Sequence, residues 1–362
     1  MLVGVLALAQ SPPPLTPEDL AETTFEDAFG ELVLESPATE DAFVAGAFSD
    51  EIVVEILSLR VRILDPLGQP VTGLRPEDVV ASIGDAPVPV TAVDFEDYAS
   101  RGDEMPETFD EAPREAALEF SVVEAPPRQV VILMQIGGHD VAFLEPSYVR
   151  GHQQSLPGIR GLIDSLAPGD WVALLAYDVR LKVWSDFTQD HAAVKAMLPD
   201  TIGFATPPRP KPSPRGPSLL RAIRPGLFED ATNPGLAMTV IAGGLDHTPG
   251  EKDIVYVGWD IGGHHHTLSA LLRSGVRVSV LDVTQADAHL LGGPLMKVAY
   301  ATGGTYESIF RWPQRAPRRI ARSISGHHTI TLDIEAARDA KGPLKITVPG
   351  RDVAIHMRRY TF

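Results

Sequence analysis

Gln129-Val130-Val131-Ile132-Leu133-Met134 is the stretch whose reading decides the fold. It is a continuous apolar run of strand length, as expected for a strand buried on both faces, because a half-exposed strand would alternate polar with apolar. Three later runs repeat it: Trp171-Val172-Ala173-Leu174-Leu175-Ala176-Tyr177, Asp253-Ile254-Val255-Tyr256-Val257-Gly258 and Val276-Arg277-Val278-Ser279-Val280-Leu281. Helical stretches are expected over 149–166, 190–198, 267–273, 295–301 and 317–324, with a short hairpin partner over 180–184 and an edge strand after Gly303-Gly304-Thr305-Tyr306. Strands alternating with helices predict an α/β class, a doubly wound and mostly parallel sheet over 128–325.

Outward from this centre the period changes. On the N-terminal side, 51–124 reads as the first part of a β module. It has strands over 52–57, 59–64, 79–83 and 88–95, and a turn cluster at Asp65-Pro66-Leu67-Gly68-Gln69-Pro70. An acidic stretch over 94–115 reads as a linker, and its Arg101-Gly102-Asp103 carries no functional weight as a lone tripeptide. On the C-terminal side, strands over 329–334, 344–348 and 353–357 form a second β part, 327–362. The two parts are expected to pair into one sandwich.

Met1 to Gln10 is apolar and ends in Ala7-Leu8-Ala9, the small-x-small pattern a signal peptidase reads, so 1–9 is expected to be a signal-peptide remnant and the protein exported, periplasmic or extracellular. Residues 10–50 form a Pro-rich acidic arm. No later segment reads as a transmembrane span. The chain of 362 residues carries 48 acidic and 31 basic side chains, a net charge of −17, which argues against a nucleic-acid binder. With no cysteine, disulfides, thiolate metal sites and a cysteine nucleophile are excluded.

The order of segments resembles acidobacterial-type proteins with a von Willebrand factor type A related domain. Gly68-Gln69-Pro70-Val71-Thr72-Gly73-Leu74-Arg75-Pro76-Glu77-Asp78-Val79 is similar to their G-x-P-V-x-G-L-x-x-x-D-F motif. Leu166-Ala167-Pro168-Gly169-Asp170-Trp171-Val172-Ala173-Leu174 resembles L-x-P-G-D-x-V-A-L, and Asp186-Phe187-Thr188-Gln189-Asp190 resembles D-F-T-x-D. Ser274-Gly275-Val276-Arg277-Val278, Ala299-Tyr300-Ala301-Thr302-Gly303-Gly304 and Arg358-Arg359-Tyr360 match further signatures, so the resemblance covers about 51–362. The fold it implies is a Rossmann-like type A domain between halves of an immunoglobulin-like β-sandwich module.

The resemblance also implies a metal-ion-dependent adhesion site, where Asp-x-Ser-x-Ser, a Thr and a further Asp supply oxygens to Mg²⁺ or Ca²⁺. This sequence departs at each position. Gln135 replaces the Asp, Gly137 and His139 replace the two Ser, Pro217 falls at the Thr, and Trp259 takes the place of the second acid with Asp260 one residue late. A degenerate site with no metal and no cofactor is the expectation. The alternative is a softer transition-metal site on a histidine-rich rim of His139, Asp260, His264, His265 and His266, because imidazole suits Zn²⁺, Cu²⁺ or Ni²⁺. Against it, a His run without fixed partners reads as an exposed polar loop.

Thr206 to Gly216 is Pro-rich and basic, and Arg209, Lys211 and Arg215 are candidate contacts for an acidic partner or an aromatic-lined groove, expected to face the same rim; the competing reading is a solvated connector. Arg311, Arg315, Arg318, Arg319 and Arg322 read as a solvated face of the last helix. No nucleophile elbow, phosphate-cradling loop or His-Glu-x-x-His helix is present. The expected function is therefore protein–protein contact, adhesion-type or as an accessory subunit of an envelope assembly, by a non-enzymatic protein with unidentified protein partners. A purely architectural subunit working through its β module and N-terminal arm is a further alternative.

Overall fold

Strand β1 (Ile56–Leu64) alternates between two faces: Leu59, Val61 and Ile63 enter one core, while Ser58, Arg60 and Arg62 occupy the opposite face, where Arg62 is buried as well. In the computed structural model, the described residues are 56–98, 127–137, 146–203, 205–214, 216–246, 248–262, 264–287, 289–335 and 338–360. The leader, the acidic arm, most of the strand expected over 52–57, and Arg101-Gly102-Asp103 lie outside them. After β1 and the turn cluster come β2 (Val80–Ile83), β3 (Ala86–Val88) and β4 (Val90–Asp97). The one strand expected over 88–95 is thus two, divided at Pro89, which has no N–H to give a ladder.

The α/β layer begins with β5 (Gln129–Gln135), buried throughout. Then follow α1 (Pro146–Asp164), β6 (Trp171–Tyr177), β7 (Leu181–Thr188) and α2 (His191–Ile202). Asp190 caps α2 by accepting from the Ala193 amide at 2.9 Å. Short helices α3 (Leu219–Ala222) and α4 (Pro225–Asp230) precede α5 (Pro234–Leu245). The layer continues with β8 (Lys252–Gly258), α6 (His264–Arg273), β9 (Arg277–Asp282), α7 (Gly292–Ala301), β10 (Tyr306–Ser308) and α8 (Arg315–Ser323).

The six strands run β10-β9-β8-β5-β6-β7, all parallel except β7, which returns antiparallel to β6. Side-chain alternation along β5 sends Val131 and Leu133 to one core and Val130, Ile132 and Met134 to the other. The first core is closed by α5, α6 and α7, the second by α1, α2 and α8. Helix α1 approaches so closely that a Cβ on Gly151 would lie 2.1 Å from the Val283 carbonyl oxygen.

The chain returns through β11 (Gly326–Asp333), β12 (Leu344–Thr347) and β13 (Ala354–Met357). One antiparallel sheet is ordered β13-β1-β11-β4 and the other β12-β2-β3, and their inner faces share one apolar core that includes Leu59, Ile83, Ile330 and Ile346. At the point where the chain leaves β4 and enters β11, the Tyr98 amide donates to the Ser325 carbonyl at 2.9 Å. Beneath it, the buried Arg128 guanidinium pairs with Asp170 at 2.5 Å and lies 4.4 Å from the Tyr98 ring centroid. No helix among the described residues is long and apolar enough to cross a membrane.

Candidate functional site

Open α/β sheets bind ligands at the carboxyl ends of their parallel strands, so the rim formed by the ends of β5, β6, β8 and β9 is the place to look. Gln135 ends β5 and is buried. Its Oε1 accepts from the Trp259 amide at 2.8 Å and the Asp260 amide at 3.0 Å, and the Tyr256 hydroxyl lies 2.6 Å away. The same hydroxyl also meets the Asp260 carbonyl oxygen. Burial raises the Tyr256 pKa, so this phenol stays protonated and donates.

Below Gln135, the ring of His152 on α1 reaches the Gln135 carbonyl oxygen at 2.6 Å. A carbonyl only accepts, so Nε2 carries the proton, and Nδ1 is left buried without a partner. Burial lowers the pKa of His152 to about 4, so the ring is neutral near pH 7. Trp259 is buried and stacks on Tyr148, with ring centroids 4.2 Å apart and planes 1° from parallel, while His152 meets its edge.

Three chain segments thus converge where the first and fourth strands of the layer end, on a sheet whose third strand alone is reversed. The α/β layer is the doubly wound, mostly parallel sheet that the resemblance to type A domains implies. Among solved structures, a serine-substituted form of an aerotolerance-related membrane protein from Bacteroides fragilis is 18% identical, with 54% of this chain and 98% of that one covered and a TM-score of 0.37. BatB from Bacteroides thetaiotaomicron is 16% identical, with 55% and 97% covered and a TM-score of 0.38. Manganese-loaded TRAP protein from Plasmodium vivax is 11% identical, with 61% and 78% covered and a TM-score of 0.37. Neither the protein-family models nor the curated proteins show a match to this chain.

On this rim, Gly137 sits where a Cβ would lie 2.6 Å from the Asp178 carbonyl oxygen, which leaves no room for a side chain. The Asp260 carboxylate folds back to accept from the Gly262 amide at 2.9 Å. His139 lies outside the described residues, His264 to His266 open α6, and His266 is exposed. Among the described residues, no group of three His, Asp or Glu side chains converges as a metal ion would need.

Pro217 is not on this rim. A Cβ on its neighbour Gly216 would lie 2.3 Å from the Trp171 ring, and Trp171 begins β6 at the opposite edge of the sheet. Asp186 on β7 holds the segment there, accepting from the Ser213 amide at 3.1 Å, the Ser218 hydroxyl at 2.5 Å and the Leu219 amide at 2.9 Å. The end of the Pro-rich segment is therefore tied beside the start of β6, a correction to the expectation that it faces the rim. Arg209 and Lys211 on it are exposed, and Arg215 lies outside the described residues.

The loop that does reach the rim is Ala231-Thr232-Asn233. The Thr232 carbonyl accepts from the Tyr177 hydroxyl at 2.6 Å, and Asn233 caps α5 by accepting from Leu236 at 2.8 Å. An Asn before a Pro is an N-cap signature, and it is the sequence signal that marks this loop.

A second cluster escaped sequence reasoning altogether. Asp282 ends β9, fully buried; its Oδ1 accepts from the amide and hydroxyl of Thr284 at 3.0 and 2.8 Å. Its Oδ2 accepts from the Tyr306 hydroxyl at 2.5 Å and from His289 Nε2 at 2.6 Å. Burial alone would raise the carboxyl pKa, but the bonds from His289, Tyr306 and Thr284 outweigh it and hold the pKa low. Among the basic residues around α8, Arg311 pairs with Asp287 and Arg319 with Glu307, and Arg319 also donates to the Pro66 carbonyl at 2.8 Å.

Proposed function

We propose that this is an exported, non-enzymatic binding protein whose type A-like layer makes metal-independent protein–protein contacts at the cell envelope, as an adhesion-type or accessory subunit. The observation that carries the reading is the saturation of Gln135 Oε1 by Trp259, Asp260 and Tyr256. A hard cation needs anionic and hydroxyl oxygens with free lone pairs. Here a neutral amide ends the first strand of the layer with its oxygen engaged, Trp259 is turned into the core, and Pro217 is at the other edge. The residues present do not fit the divalent ion that such a rim would hold.

The apolar Met1–Gln10 supports export. Two antiparallel sheets around one core support an immunoglobulin-like sandwich for the β module. The exposed Arg209 and Lys211, with Arg215, suit an acidic partner.

Metal analysis of untagged protein, with thermal melts in EDTA and in Mg²⁺, Ca²⁺ and Zn²⁺, tests the reading. The expected result is no stoichiometric metal and unchanged melting temperatures, because an ion that binds the folded state must raise them. Stabilisation by Mg²⁺ or Ca²⁺ overturns it. Zinc-specific stabilisation lost in His139→Ala moves the site to the histidines.

A further inference from the structure

At the edge of the central sheet opposite the rim, where β8 and β9 begin, a cavity of about 460 Å³ opens between the α/β layer and β1. Its walls carry Arg60, Arg62, Lys252, Arg277 and Arg358 against one wall carboxylate, Glu251. Arg60 and Arg277 both pair with Glu251, and Arg277 Nε also reaches Asp253 at 3.3 Å. Arg62 donates through Nη2 to Asp253 at 2.7 Å.

The remaining donors have no such partner. Arg62 is 1% exposed, and its Nε and Nη1 meet no acceptor. Two idle N–H groups on one buried guanidinium leave its charge answered by Asp253 alone, so Arg62 adds positive potential to the cavity wall. Lys252 Nζ donates to the carbonyl oxygens of Asp246 at 3.2 Å and Ser274 at 3.3 Å, with the Asp246 and Glu251 carboxylates near enough to attract it, and Arg358 has no carboxylate partner among the described residues. Five cations against Glu251, Asp253 and Asp246 make this wall positive in a chain whose net charge is −17. Burial and then the neighbouring Arg277 guanidinium push the Arg62 pKa down, a mutual repulsion that an anion between them would relieve.

We propose that this cavity binds a small phosphate-bearing anion. The guanidinium fork matches phosphate oxygens, and a charge excess above one unit suits a phosphate better than a single carboxylate. Val276, Met357 and Tyr360 add an apolar wall, so the space accommodates an organic group carrying the phosphate.

Inorganic phosphate and phenyl phosphate, each titrated into the full chain at ionic strength fixed with sodium chloride and read by calorimetry and thermal shift, test the site. Saturable binding is expected, with a dissociation constant at least tenfold weaker in the double variant Lys252→Ala, Arg358→Ala. That variant leaves the buried Arg62–Asp253 pair in place, so its folding does not hang on the outcome, and a melt without ligand verifies it. Tighter binding of phenyl phosphate assigns the phosphate to an organic ester, and equal or weaker binding assigns it to the free ion. The absence of a saturable response to either probe, or an identical response in the double variant, overturns the proposal.

Discussion

Arg62 on β1 donates to Asp253 on β8 across 2.7 Å, and both side chains are 1% exposed. The ion pair fastens the β module to the middle of the α/β sheet, away from water that would screen it. Replacing one member leaves the other charged and buried, which costs far more than the intact pair contributes. Asp253→Asn is therefore expected to lose about 3–5 kcal/mol in urea denaturation. A loss under about 1 kcal/mol, the scale of an exposed pair, would show that the junction is hydrated.

The same aspartate sets an acid limit. Burial works against its ionisation, but Arg277, Arg62 and Arg128 outweigh this and hold its pKa far below the carboxylate range. Its stabilisation is complete above the unfolded value of about 4 and declines as pH falls below that value. Stability measured from pH 5 to pH 2.5 should fall less steeply in Asp253→Asn than in the parent chain.

His152 and His327 act at milder pH. Burial leads the lowering of both, to about 4 in His152 and about 3 in His327. The unfolded chain takes up these protons below about 6.5 while the folded chain refuses them, so stability is full above that pH and declines toward pH 4. Each ring accounts for a slope of up to about 1.4 kcal/mol per pH unit in that window. Denaturation at pH 7, 5.5 and 4.5 should show the slope reduced in His152→Gln and not abolished, because His327 remains.

At the rim, Gln135→Leu keeps the shape of the side chain and removes its acceptor. The Trp259 and Asp260 amides are then left unpaired, for an expected loss of about 2–3 kcal/mol. Hydrogen exchange at those two amides should accelerate, and unchanged exchange would show that water has replaced the lost oxygen.

Helix α1 contains its own control. Gly151→Ala drives a Cβ to 2.1 Å from backbone at Val283, whereas Gly161 is exposed with nothing within 4 Å. Gly151→Ala is expected to cost at least about 2 kcal/mol, and Gly161→Ala to stabilise by about 0.5–1 kcal/mol through helix propensity alone. Melting temperatures moving in the same direction for both would count against the close approach.

What the sequence disclosed follows from burial. Strands β5, β6, β8 and β9 are covered on both faces, so their apolar runs stand out without any periodicity to decipher. Helix α5 hid for the same reason: Gly235-Leu236-Ala237-Met238-Thr239-Val240-Ile241-Ala242 is apolar almost all round, so it shows no amphipathic stripe. With α5 inconspicuous, Pro217 stands in for the second rim loop in the sequence reading, two short helices ahead of Thr232 and Asn233. Gln135 was legible because it ends the strand that decided the fold. The Asp282 cluster was not, since Thr284, His289 and Tyr306 reach it from three different segments, and only the pairing of β9 with β10 brings Tyr306 alongside.

The strand order of the β module also fixes when each strand's partner becomes available on a growing chain. Tyr98 and His327 hydrogen-bond across 229 positions, and β1 is flanked only by β11 and β13. Strands β1 and β4 therefore have no neighbour in their sheet until β11 has been synthesised, after the whole α/β layer. On a growing chain they are made first and paired last, and their open edges are the surface a chaperone must cover in the interval.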